Sequence, residues 1–194
     1  VLPPSLATGA EGMVVAYAAQ AHLPEGSAGP LLAAFPVGMA LGNGLVGRFA
    51  APAARERLTR ALLVLLGGPL LLLVAFAPPL LPAAALLLLA ATGTGYELGI
   101  QRRFLEAVPE DRRVQAFGLV STLLMFGQGV GPVLSGALAS TTSPAVAIAA
   151  SGAAVLLATA LLSPHLRPAA REARYSGAPA GAGQERHPRL IALG

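Results

Sequence analysis

The chain has 194 residues, 55% of them hydrophobic and only 11% charged, and its mean hydropathy is +0.68. A soluble domain is about 25% charged, so a water-soluble fold would have too little polar surface to cover itself. The basic excess (13 against 9 acidic residues, all of the 13 arginine) lies between apolar stretches with almost no aromatic interleaving, which excludes nucleic acid as the natural partner and points to membrane topology.

Six apolar spans are expected, at residues 2–21, 30–47, 61–77, 83–100, 114–138 and 145–162. The first carries Pro3, Pro4, Ser5, Thr8, Glu11, Tyr17 and Gln20 and is too polar to face lipid. Its Ser5, Gly9, Gly12, Ala16 and Ala19 recur at helical spacing and offer a small-residue face for another helix, placing the span inside a bundle. It has no basic leader or cleavage site, so no secretory signal is expected. A first residue of Val rather than Met suggests a fragment or a non-standard start.

The second span holds a GxxxG pair, Gly38 and Gly42, beside Asn43 and Gly44, again a packing face. Arg48, Arg55, Arg57 and Arg60 follow in a loop broken by Pro52. The third span is almost uniformly Leu, Val and Ala and suits the lipid-exposed rim. The fourth ends in Thr92-Gly93-Thr94-Gly95-Tyr96-Glu97.

A charged bridge from Gln101 carries Arg102, Arg103, Arg112 and Arg113. Within it Pro109 suits the first turn of a helix, where its missing N–H has no partner to lose, and Glu110 and Asp111 favour the positive end of the helix dipole. The fifth span is free of charge from Phe117 to Leu138, roughly the 20 residues that cross a bilayer. The sixth is small and apolar, and residues 164–194 read as a disordered cytoplasmic tail.

Every arginine falls in the loops after the second and fourth spans or in the tail. The positive-inside rule therefore places both ends in the cytoplasm, and short connections imply antiparallel neighbours. The expected fold is all-α, an integral membrane six-helix bundle in the cell (plasma or inner) membrane, with the lipid bilayer as its solvent.

The order of spans, Gly44-Leu45-Val46-Gly47-Arg48 ending the second, and Val108-Pro109-Glu110-Asp111-Arg112-Arg113 before a glycine-rich fifth span resemble the major facilitator superfamily. Gly118, Gly127, Gly131, Pro132 and Gly136 resemble the spacing of its antiporter motif, with Ser135 where a second glycine is usual. The resemblance covers one six-helix half of a transporter that normally has two. Gly47-Arg48 lacks the Asp usual after the second helix of the first half, and the fourth span lacks its Arg. Glu11-Gly12, Tyr17-Ala18-Ala19-Gln20 and Leu32 to Gly38 look like the seventh and eighth helices of actinobacterial-type members. The resemblance thus implies the second, C-terminal half, with a missing N-terminal six-helix half as partner. The antiporter-like match is then an echo of the internal repeat.

Glu11 lies about 11 residues, or roughly 16 Å of helix, from His22 and so near the bilayer midplane, where a carboxyl group is costly and usually functional. It reads either as a carrier of a proton or a contact for a cationic substrate, or as a structural group bonded to a neighbouring helix. Glu97 reads as a second candidate or as a partner of Arg102 or Arg103. Tyr17, Gln20, Asn43, Tyr96 and Gln128 are candidates to line a cavity or to be satisfied interior polar groups. Gly127, Gly131 and Pro132 suit a hinge or a tight seam equally. The three histidines do not cluster, so neither metal nor cofactor is expected. No HExxH and no Ser with a His at depth supports intramembrane hydrolysis. The reading that remains is not an enzyme but proton-coupled efflux of a small organic solute by alternating access, with a non-transporting scaffold as the alternative.

Overall fold

The computed structural model describes residues 2–163, apart from the side chains of Leu2, Pro52, Ala53, Glu56, Arg102, Arg103 and Glu106; the expected tail lies outside the described residues. The described residues form eight α-helices and no strand: α1 (Leu2–Gly12), α2 (Val14–Gln20), α3 (Ala28–Phe49), α4 (Pro52–Phe76), α5 (Leu80–Thr92), α6 (Glu97–Ala107), α7 (Arg113–Thr141) and α8 (Pro144–Leu162). A 3-10 segment, Gly93–Tyr96, joins α5 to α6, and a second, Glu110–Arg112, leads into α7.

Among the described residues, five stretches are long and apolar enough to cross a membrane: Ala28–Phe49, Arg57–Phe76, Leu80–Gln101, Glu110–Thr141 and Pro144–Leu162. The first expected span is present as α1 and α2, interrupted at Met13, and neither piece is long enough to cross alone. The bridge after the fourth span is shorter than the sequence suggested, because helix continues through α6 to Ala107 and only the segment around Pro109 leaves it.

Local chemistry fixes the ends. Pro52 and Pro144 open α4 and α8, where a missing N–H costs nothing. Ser143 Oγ accepts from the Val146 N–H at 3.3 Å, and Gln20 Oε1 accepts from the Ala145 N–H at 3.0 Å. The exposed start of α8 thus has two of its orphan donors satisfied, one of them by the end of the first span.

The five most extensive helix pairings are α1 with α7, α3 with α5, α4 with α8, α1 with α8, and α4 with α5. Counting α1–α2 as the first span and α5–α6 as the fourth, exchanging the first three spans with the last three maps this set onto itself. Contact chemistry repeats the symmetry. A Cβ on Gly131 would strike the Ser5 carbonyl, and one on Gly9 the Ser135 hydroxyl; on the other side, Cβ atoms on Gly38 and Gly42 would strike the Leu88 and Thr92 carbonyls. At the centre, Gly67 and Gly152 face each other, each with the other's carbonyl 2.8 Å from where its Cβ would stand. In a bilayer, where lipid tails are as apolar as leucine, such backbone approach is what holds helices together.

Two expectations change. The third span lies at the rim on one face only: Leu63, Leu66, Leu70 and Leu73 are at most 2% exposed against α5, α8 and the 3-10 segment, while Val64 and Leu72 on its other face are open. A run of uniform Leu, Val and Ala has no periodicity from which to read that face. The small-residue stripe of the first span stops at Gly12. Ala16 and Ala19 are exposed because the interruption at Met13 comes between them and the α7 seam.

Candidate functional site

The two spans exchanged by the internal symmetry, first and fourth, are the two that depart from α-helix. At Met13 the backbone N–H donates to the Ala10 carbonyl at 3.1 Å, one residue short of the α-helical partner, and the helix resumes at Val14. On the fourth span the departure is the 3-10 segment Gly93–Tyr96. Ser5 and Gly9 precede the first as their counterparts Leu88 and Thr92 precede the second. Irregular backbone at membrane depth is tolerated only where it is buried in protein or lines a cavity, and mid-helix 3-10 geometry often marks a functional hinge.

Glu11 stands two residues before Met13, half-buried, and its carboxylate makes no hydrogen bond or ion pair among the described residues. Its neighbour Gly12 lies against Pro132 of α7, whose Cβ is 3.3 Å from where a Gly12 Cβ would stand. Pro132 has no N–H to return to the Gln128 carbonyl, so Glu11 adjoins the contact between an interrupted helix and a proline-weakened one. Gly131 is buried on the same seam, and the Met13 Cε lies 4.0 Å from where a Gly136 Cβ would stand. Gly127 is half-buried, and Gly118 is exposed with nothing within 4 Å of where its Cβ would stand. The glycine motif therefore divides between seam and open surface.

The other candidates are placed differently. Tyr17 is 2% exposed, and its hydroxyl donates to the Leu73 carbonyl at 3.2 Å, tying the first span to the third. Tyr96 is buried among Ala7, Leu63, Leu66 and Val155. Gln20 serves as the α8 cap. Asn43, Glu97 and Gln128 are exposed. Glu97 sits near the arginine end of the bundle, since Gly99 beside it packs on Thr59 and the Arg55 carbonyl of α4. Its expected partners, the side chains of Arg102 and Arg103, lie outside the described residues.

The basic loops are clamped by single arginines. Arg55 Nε donates to the Ala50 carbonyl at 2.8 Å and Nη2 to the Gly47 carbonyl at 2.7 Å, capping the end of α3. Arg113 does the same for α6, with Nη2 on the Leu105 carbonyl at 3.3 Å and Nε on the Val108 carbonyl at 3.4 Å, and it adds an ion pair to Glu110 at 3.1 Å. Arg48 is exposed over the Phe49 ring at 6.0 Å, and Arg112 pairs loosely with Asp111 at 3.8 Å. Sequence reading treated Arg55 as one loop cation among four. Its distinguishing signal is the tight Pro52 turn that folds it back over α3. Arg55→Ala and Arg113→Ala are each expected to cost about 1.5–3 kcal/mol, the range for charged hydrogen bonds. Lysine should restore only part of that, because it lacks the fork that holds two carbonyls at once. Thermal unfolding in detergent measures both, and full stability in the alanine variants would show that these clamps carry nothing.

All but the first residues of the described bundle lie within one family match. Residues 6–192 match the Major Facilitator Superfamily model, a match that extends across most of the segment after α8. No curated protein and no solved structure matches the chain. The match spans nearly the whole chain, and the chain accordingly belongs to the major facilitator superfamily, a family of multi-pass membrane proteins that are solute transporters rather than enzymes.

Proposed function

We propose that this chain forms the second half of a proton-coupled transporter that exports a small organic solute across the cell membrane by alternating access, both chain ends lying in the cytoplasm. The observation that carries the reading is the pair of interrupted spans related by the internal symmetry, with the unpaired carboxylate of Glu11 beside one interruption. Discontinuous helices that converge near the midplane are where secondary transporters hold substrate and coupling ion. The open face of α7 supports a partner half: only its Gly131 and Ser135 are buried, while Phe126 and Val133 are each 70% exposed. Arginine placement supports the orientation.

The reading is tested by reconstitution in proteoliposomes. Alone, the chain should insert but fail to move solute, because its side of the pathway has no opposing wall. An open frame upstream of Val1 should encode six further spans, and the joined product should show efflux driven by a pH gradient. Transport by the 194-residue chain alone would overturn the half-transporter reading.

A further inference from the structure

Away from the interrupted spans, the outer side of the bundle carries a groove of about 530 Å³ between α4 and α8. Its walls change character along its length. At the end where α4 begins and α8 stops stand Arg60, Ser163 and Thr159; deeper along the spans the lining is Val64 and Leu156. The Thr159 hydroxyl already donates to the Val155 carbonyl at 2.7 Å, so the free donors at the mouth are Ser163 and Arg60. Arg60 is exposed and makes no hydrogen bond or ion pair among the described residues. It sits three residues inside the apolar stretch Arg57–Phe76, at the depth where headgroups meet acyl chains. Leu157 and Leu161 of α8, 61% and 68% exposed, show that this side of the bundle faces outward.

We propose that this groove binds an anionic phospholipid of the surrounding leaflet. Its phosphate takes the Arg60 guanidinium, whose planar fork matches phosphate oxygens, and the Ser163 hydroxyl. One acyl chain follows the Val64–Leu156 wall. A soluble anion would leave that wall unused, and a zwitterionic lipid, whose own cation already balances its phosphate, would leave the Arg60 charge uncompensated, whereas basic pockets between helices at the cytoplasmic side are suited to anionic headgroups. Only the choice of leaflet rests on the orientation proposed above; the site does not depend on transport.

The chain has no tryptophan, so one reporter gives a clean test. Leu157→Trp in the full chain, reconstituted in phosphatidylcholine vesicles, is titrated with brominated phosphatidylglycerol or brominated phosphatidylcholine, and quenching gives relative association. The anionic lipid should be preferred about fivefold, the effect of one arginine near the surface, and Arg60→Gln should bring the two lipids level. A Val114→Trp reporter, 85% exposed at the same end of the bundle, should show a smaller preference. Four results would overturn the proposal: no preference at Leu157→Trp, an unchanged preference in Arg60→Gln, an equal preference at Val114→Trp, which would leave only the general pull of an arginine-rich face, or no quenching by either lipid, as when the segment after Ser163 fills the groove.

Discussion

Gly42→Ala is expected to destabilise the bundle by about 3 kcal/mol, the upper end for forcing a methyl group into a packed interior. The new Cβ would meet the carbonyl, carbon and Cα of Thr92. These are backbone atoms on a facing helix, which cannot swing aside as a side chain can. Relief requires α3 and α5 to separate along the seam that also holds Gly38 against Leu88. The internal symmetry makes the prediction sharper. Gly131→Ala, where the Cβ would strike the Ser5 carbonyl, should cost a similar amount on the α1–α7 seam. Gly44 and Gly118 have nothing within reach, so alanine there should stay within about 0.5 kcal/mol of the parent. Denaturant titration in mixed micelles separates the two groups. If alanine at Gly42 and Gly44 proved equally harmless, the close backbone approach would not be what holds this bundle together.

Those glycines show how far sequence reaches in a membrane chain. The Gly38–Gly42 seam was legible because small residues at helical spacing have few uses in lipid other than close packing. All the long apolar helices were legible too, since a run of that length without charge has no soluble home. Burial direction was not. In water the apolar face of a helix marks its inside, but from Ala61 onward α4 is apolar on all sides, and only its neighbours decide that Leu63, Leu66, Leu70 and Leu73 turn inward. The interruption at Met13 was equally invisible, because neither Gly12 nor Met13 forbids helix. Polar residues left two readings open for a related reason. Tyr17 and Gln20 could line a cavity or be satisfied polar groups, and one bonds the Leu73 carbonyl while the other accepts from the Ala145 N–H at the start of α8. In a medium without water, a polar side chain is drawn to whatever backbone group needs a partner. Glu11 is the half-buried carboxylate that this reasoning does not absorb, since it has no such partner among the described residues.

Glu11→Gln is therefore expected to have the largest effect on function. Glutamine keeps the size of the side chain and its capacity to hydrogen bond, but it cannot release or take up a proton. In the complete transporter, gradient-driven efflux should fall tenfold or more, equivalent to about 1.4 kcal/mol of barrier or coupling energy, while substrate exchange without a pH gradient should persist. That split is what separates a proton carrier from a packing residue. Loss of packing beside Gly12 and Pro132 would depress both activities together and lower the thermal stability measured in parallel. Glu97→Gln provides the comparison at the other interrupted span: Glu97 directly follows the Gly93–Tyr96 segment, but it is exposed toward the arginine end of the bundle, and its replacement should leave gradient-driven efflux within about twofold of the parent, under 0.5 kcal/mol. Gradient-driven efflux that survived in the Glu11 variant at normal protein levels would remove the proton-carrier role and leave the interruption at Met13 without a titrating group.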